Sequence, residues 1–210
     1  MRLHLPRIYP ITDKLLSGRT THHSILKELV RGGATLVQIR DKQTPDRDLL
    51  RDLLCCVEFA EKNRVLLVVD DRCDLMLSCG AAGVHLGQED LPPGPVRRLL
   101  GPRRLIGYST HSIEQVTLSL RLPVDYIGFG PVYPTSTKQN PSPVVGLSEL
   151  RRACRKSPRP VVAIGGIGLR QVPEVLAAGA ASAAIISALM SAPRLAHRME
   201  EFLRRATATG

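Results

Sequence analysis

The chain has 210 residues and is 43% apolar, which fits one soluble domain and leaves little room for a second. A domain this long buries roughly 70% of its unfolded surface, so it needs neither disulfides nor a structural metal. Its formal charge of +10, from 29 basic and 19 acidic residues, favours anionic partners. With no Trp, four Tyr and three Phe, it lacks the interleaved aromatics and cations of a nucleic-acid stacking platform.

In chain order, short apolar runs alternate with amphipathic segments. The runs Ile8–Thr12, Leu36–Arg40, Leu66–Asp70, Gly83–Leu86, Leu105–Tyr108, Tyr126–Gly130, Val161–Gly165 and Ala183–Ser187 read as strands. Helices are expected over His22–Arg31, Pro45–Lys62, Ser112–Leu120, Ser148–Lys156, Leu169–Ala178 and about Ala192–Arg205. Thr44-Pro45 reads as an N-cap and first-turn proline, and Ser112 as the cap of a later helix. Gly32-Gly33, Gly80 and Gly179 follow helices where a left-handed residue ends the coil. Paired arginines such as Arg97-Arg98 and Arg204-Arg205 fall late in helices, where they complement the dipole.

Strand–helix alternation along the whole chain implies a parallel sheet. Eight units of about twenty-five residues predict an α/β fold, an eight-stranded parallel (β/α)8 TIM barrel, as a single catalytic domain over 1–210. The five cysteines, odd in number and without a C-x-x-C pair, read as reduced thiols of a cytosolic protein. The first ten residues lack the apolar core of a signal peptide, and the apolar stretch Ala177–Met190 is too short to span a bilayer. A cytoplasmic protein that binds neither nucleic acid nor membrane is expected, and a homo-oligomer is compatible with the sequence.

In this fold the active site lies at the C-terminal ends of the strands. The residues there are polar or glycine at nearly every strand. The first strand ends near Asp13 and the second runs into Asp41-Lys42. Asp70-Asp71 and Glu89-Asp90 follow the third and fourth. Two acidic tips on neighbouring strands can share a hard cation, and few oxygen ligands at an open mouth suit Mg²⁺. Asp71 and Asp90 are the metal candidates, and each could instead cap the helix that follows.

Gln38, Arg40 and Lys42 alternate along one strand and so share a face. They suit a diphosphate, or a salt-bridge cluster with Asp41 or Asp70. The loop from Gly130 offers the hydroxyls of Thr135, Ser136 and Thr137 with the cation Lys138. Gly165-Gly166 and Ile186-Ser187 follow the seventh and eighth strands, where barrels often place a phosphate. His85, between valine and leucine, reads from the pattern alone as a core histidine, and His111 as a helix-start residue. Neither a nucleophile–base arrangement nor a dinucleotide fingerprint is present.

Certain segments carry a family resemblance: YPITD at Tyr9–Asp13, VQIRDK at Val37–Lys42, GVHLGQEDLP at Gly83–Pro92, IGYSTH at Ile106–His111, DYIGFGPVYPTSTK at Asp125–Lys138 and VVAIGGI at Val161–Ile167. Over nearly its full length the chain resembles thiamine phosphate synthases. The resemblance implies an Mg²⁺-dependent transferase with two phosphorylated small-molecule substrates. It joins 4-amino-2-methyl-5-(diphosphooxymethyl)pyrimidine to 4-methyl-5-(2-phosphooxyethyl)thiazole and releases thiamine phosphate and diphosphate. The implied mechanism is dissociative, through a carbocation on the pyrimidine methylene.

Carried onto this chain, Gln38, Ile39, Arg40, Asp41 and Lys42 with Ser109 and Lys138 hold the pyrimidine diphosphate. Arg40, Lys42, Lys138 and Ser109 serve catalysis, and Asp71 and Asp90 bind Mg²⁺. Thr135, Ser136, Thr137, Gly166, Ile186 and Ser187 hold the thiazole phosphate, while Tyr9 and His85 line the pyrimidine pocket. One position departs from the family pattern, which has Asn where this chain has Asp70. An ionised Asp cannot donate a hydrogen bond to a phosphate oxygen, but it can pair with Lys42 or join the metal shell. Two other readings share the architecture: a thiazole tautomerase-like barrel, which needs a proton-transfer residue and no metal, and a non-catalytic phosphate-ligand-binding barrel.

Overall fold

The structure is a computed structural model that describes residues 4–135, 137 and 142–208. Eight strands form one parallel sheet: β1 (Ile8–Pro10), β2 (Leu36–Ile39), β3 (Leu66–Asp70), β4 (Gly83–Leu86), β5 (Leu105–Thr110), β6 (Tyr126–Phe129), β7 (Val161–Ala163) and β8 (Ser182–Ile185). β1 pairs with β8, and the order then descends through β7 to β2. An isolated parallel bridge between Ile11 and Gln38, with the Thr12 amide donating to the Gln38 carbonyl at 2.9 Å, joins β1 to β2 and closes the barrel.

Among the described residues ten helices surround the strands: α1 (Lys14–Ser17), α2 (His22–Arg31), α3 (Asp46–Lys62), α4 (Cys73–Cys79), α5 (Pro93–Leu100), α6 (Ile113–Ser119), α7 (Gly146–Lys156), α8 (Gln171–Ala177), α9 (Ser187–Met190) and α10 (Leu195–Thr207). Their apolar stripes turn inward. In α2, Ile25, Leu26 and Leu29 are fully buried, and in α10 Leu195, Met199 and Phe202 are. Closing the sheet on itself removes exposed edges, and ringing it with helices buries both faces of every strand. Among the described residues no helix is long and apolar enough to cross a membrane. All five cysteines are free thiols.

Several element boundaries differ from the pattern reading. β5 runs two residues further, to Thr110, so Ser109 lies within a strand. β8 stops at Ile185, and Ile186 becomes the N-cap of the short helix α9. Thr44 does not cap α3. The cap position is Pro45, without a side-chain bond, and the Thr44 hydroxyl donates to Asp41 at 2.7 Å instead. Ser112 does cap α6, accepting from the Gln115 amide. Gly33, Gly80 and Gly179 are left-handed, but Gly32 is not, at φ −81°. A Cβ at Gly32 would strike the Ala196 carbonyl of α10, so close helix packing is what requires glycine there.

Candidate active site at the barrel mouth

The C-terminal ends of the strands surround one cavity of about 1400 Å³. Single-ligand pockets run to about 1,000 Å³, so this volume suits two small molecules better than one. Arg40, Lys42, Asp70, Asp71, Asp90, Ser109, Thr135, Thr137, Gly166, Ile186 and Ser187 all line it. The sequence-predicted residues from seven different strand ends therefore meet at one rim. Ser136 and Lys138 lie outside the described residues.

One wall is an ion cluster. Arg40 leaves β2 with its amide donating to Thr12 Oγ1 at 3.2 Å. Its guanidinium lies 3.6 Å from Asp70 and 4.0 Å from Asp13. Among the described residues the buried Arg40 Nε, which is the atom facing Asp70, makes no hydrogen bond. Lys42 contacts Asp71 closely and reaches Asp70 at 3.8 Å. Asp71 has a left-handed backbone, φ 59°, and its amide donates to the His85 carbonyl at 2.7 Å. This conformation is uncommon outside glycine, though Asp tolerates it better than most residues, and it turns the Asp71 carboxylate into the mouth.

Neither metal candidate acts as a helix cap. Arg72 and Pro92 occupy the N-cap positions of α4 and α5, both without side-chain cap bonds. Asp90 instead accepts from the Gly87 amide at 2.5 Å, which ties its carboxylate across the loop after β4. Two carboxylates from adjacent strand ends fit Mg²⁺, which keeps several waters and shares phosphate oxygens instead of demanding a full protein cage. Among the described residues no group of three or more His, Cys, Asp or Glu side chains is placed to hold a metal ion.

On the opposite wall, the turn after β6 is stitched to the turn after β7. Val132 donates to the Ile164 carbonyl at 2.8 Å, and Tyr133 to the Gly165 carbonyl at 3.1 Å. Gly165 and Gly166 both have positive φ, 98° and 63°. The Thr135 and Thr137 hydroxyls lie 3.3 Å apart. Ser187 is exposed at the start of α9, beside Ile186. Convergent hydroxyls, glycine turns and a helix start suit a phosphate.

Of two further sequence-predicted residues, Ile39 is not among those lining the cavity, and Asp41 lines it with its carboxylate oxygens engaged within the protein. Ile39 is buried, and strand alternation places it opposite Gln38, among the helices. Asp41 has a side chain only 4% exposed, and its oxygens are already engaged. His22 Nε2 and Lys14 Nζ each lie 2.9 Å from Oδ2, and the Thr44 hydroxyl also reaches it. The Gln43 and Thr44 amides donate to Oδ1, both at 2.9 Å. Burial works to raise this carboxyl, but the bonds from His22, Thr44, Gln43 and Lys14 outweigh it and hold its pKa well below the usual carboxylate range. Asp41 is thus the anchor of the β2–α3 loop that carries Lys42.

Gln38, Tyr9 and His85 sit below the mouth, in the barrel interior. Gln38 Nε2 donates to the Tyr9 hydroxyl at 3.3 Å, and Tyr9 meets the Tyr126 hydroxyl at 3.0 Å. Tyr126 lies 3.1 Å from His85 Nδ1, and His85 Nε2 lies 3.0 Å from Ser109 Oγ. Burial pushes both phenols up, so they stay protonated. Sequence reasoning missed Tyr126, although it opens a strand whose next inward position is Gly128. It also missed the pair Thr12 and His22, joined at 2.8 Å through Nδ1. Both pairings depend on register between strands or on a helix docked over the barrel, which periodicity does not reveal.

A parallel barrel whose rim gathers cations, acidic tips and glycine turns around a two-ligand cavity is an enzyme barrel for phosphorylated substrates. Within that class, the chain belongs to the thiamine monophosphate synthase family, whose model matches residues 8–189. It is 43% identical over 192 residues to the thiamine-phosphate synthase of Albidiferax ferrireducens, covering 91% of this chain and 88% of that one. It is 42% identical to thiamine-phosphate synthase 1 of Aquifex aeolicus, covering 87% and 85%. The solved thiamine phosphate pyrophosphorylase from Pyrococcus furiosus superimposes with a TM-score of 0.87 at 33% identity, covering 97% of this chain and 96% of that one. Family membership carries the activity, thiamine-phosphate synthesis by a transferase.

Proposed function

We propose that this site joins the diphosphorylated aminopyrimidine to the thiazole phosphate, with the ion-cluster wall holding the diphosphate and the glycine–threonine wall holding the phosphate. The observation that carries this division is the pair of rim cations, Arg40 with its buried Nε 3.6 Å from Asp70 and making no hydrogen bond among the described residues, and Lys42 beside Asp71. A guanidinium with a donor free of hydrogen bonds and a neighbouring ammonium suits a leaving diphosphate. The attacking thiazole nitrogen is already neutral, so no strong general base is needed. The C–O bond breaks and its electron pair leaves with diphosphate. The nitrogen lone pair then forms the new C–N bond at the methylene.

This chain's own contribution is electrostatic and positional. Arg40 and Lys42 offset charge that grows on the leaving oxygens. Two ligands held in one cavity gain the advantage of proximity. Asp71 and Asp90 would hold Mg²⁺, which when bound supplies further charge neutralisation to the diphosphate.

A coupled assay with both substrates, with and without Mg²⁺, tests the reading. Turnover is expected with Mg²⁺ and should fall to background after chelation. Asp71→Ala and Asp90→Ala should each lose at least about a hundredfold in kcat/KM, the scale of a lost charge-stabilising group. Undiminished turnover in both variants would overturn the metal assignment. Isomerisation of the thiazole phosphate alone, without joining, would instead mark a tautomerase.

A further inference from the structure

The interior chain Gln38–Tyr9–Tyr126–His85–Ser109 runs from the barrel floor to the mouth, and its hydroxyls and ring nitrogens can each donate or accept. Gln38 presents an amide N–H to Tyr9, so the Tyr9 oxygen accepts there. Two proton orders are then open. In one, Tyr9 donates to Tyr126 and Tyr126 to a bare His85 Nδ1, so that Nε2 carries the ring proton and donates to Ser109 Oγ. In that order Ser109 Oγ accepts from the histidine and its own proton is free to turn to the cavity that Ser109 lines.

A second, independent observation concerns strand β5. His85, Gly107 and Tyr126 are register partners on three adjacent strands. A Cβ at Gly107 would overlap the Tyr126 ring and hydroxyl and the His85 Nδ1. Gly107 has no positive φ to explain it. What it provides is space: the Tyr126–His85 hydrogen bond passes where a side chain would stand.

We propose that Tyr126 and Gly107 are positioning residues that lock His85 in its Nε2–H tautomer, so that Ser109 meets the diphosphorylated pyrimidine as a hydrogen-bond donor. The recipient is an acceptor atom, a phosphate oxygen or a ring nitrogen. This role rests on the proposed assignment of that substrate to the Ser109 side of the mouth. The tyrosine acts through histidine and serine and touches no reacting atom.

The test is ¹⁵N NMR of the imidazoles in the substrate-free protein, with the His85 signals identified by their loss in His85→Gln. The wild type should show Nε2 protonated and Nδ1 bare. Tyr126→Phe and Gly107→Ala should both shift His85 toward mixed tautomers. Kinetically, both variants should raise KM for the pyrimidine diphosphate roughly tenfold, about the worth of one hydrogen bond to a charged group. KM for the thiazole phosphate should stay within about twofold, well inside that effect. A wild-type His85 protonated at Nδ1 would overturn the proposal, and so would an unchanged tautomer in Tyr126→Phe. Failure of the synthase reading would appear separately, as absent wild-type turnover, while the imidazole spectrum still decides the tautomer.

Discussion

Asp70 is the residue where this chain differs from the pattern that the family resemblance implies, and its surroundings define what the difference does. It lies 3.6 Å from Arg40 and 3.8 Å from Lys42, the two cations assigned to the diphosphate. A carboxylate there competes with the substrate for both, whereas an asparagine would leave their charge available and could donate a bond of its own. Asp70→Asn is therefore expected to preserve or raise kcat/KM for the pyrimidine diphosphate. A large loss in steady-state assays would show that Asp70 contributes directly, as part of the metal shell. The family resemblance identified the substitution, an Asp where its pattern has Asn. Its cost could be judged only once Arg40 and Lys42 were seen to converge on it.

The β2–α3 loop shows how a connecting segment is held when its residues serve a ligand. Asp41 makes five hydrogen-bonding or ionic contacts with four residues, from α1, α2 and its own loop. His22, fully buried, spans from Asp41 to Thr12, two residues past β1. Asp41→Ala would leave the buried His22 ring and the Gln43 and Thr44 amides without their acceptor, a loss of about 3 kcal/mol. For a domain this size that lowers Tm by roughly 6 to 12 °C in a thermal melt. The pH dependence follows from the direction of the shift. Because the folded carboxyl titrates well below its unfolded value, its stabilisation is fully present above about pH 5, clear of the unfolded pKa near 3.9, and drains away as pH falls below that. Asp41→Asn should accordingly flatten the acid side of a stability–pH curve measured by denaturant unfolding.

Across the whole molecule, the excess of ten positive charges and the cationic rim act in the same sense. Anionic substrates are drawn toward the mouth, and Lys42, about half exposed, is open to screening. Raising ionic strength from about 0.05 to 0.5 M, which shortens the Debye length severalfold, should raise KM for both phosphorylated substrates and leave kcat nearly constant. A KM indifferent to salt would mean that buried contacts such as Arg40 Nε dominate binding.

The barrel was legible from the chain alone because eight buried strands and their amphipathic partners leave a local periodic signal, and because the fold obliges active-site residues to follow strand ends. Asp71, Asp90, Ser109, the two threonines and Gly166 could be named on that ground. The roles inside the barrel could not. Gln38 belongs by alternation with Arg40, yet it bonds a tyrosine on β1. Asp41 lies between two phosphate-binding candidates, yet it anchors a loop. Tyr126 and Gly107 become partners of His85 only through the register of β4, β5 and β6. Which side chains share a layer depends on strand stagger, a non-local quantity, and so only the closed barrel assigns those pairings.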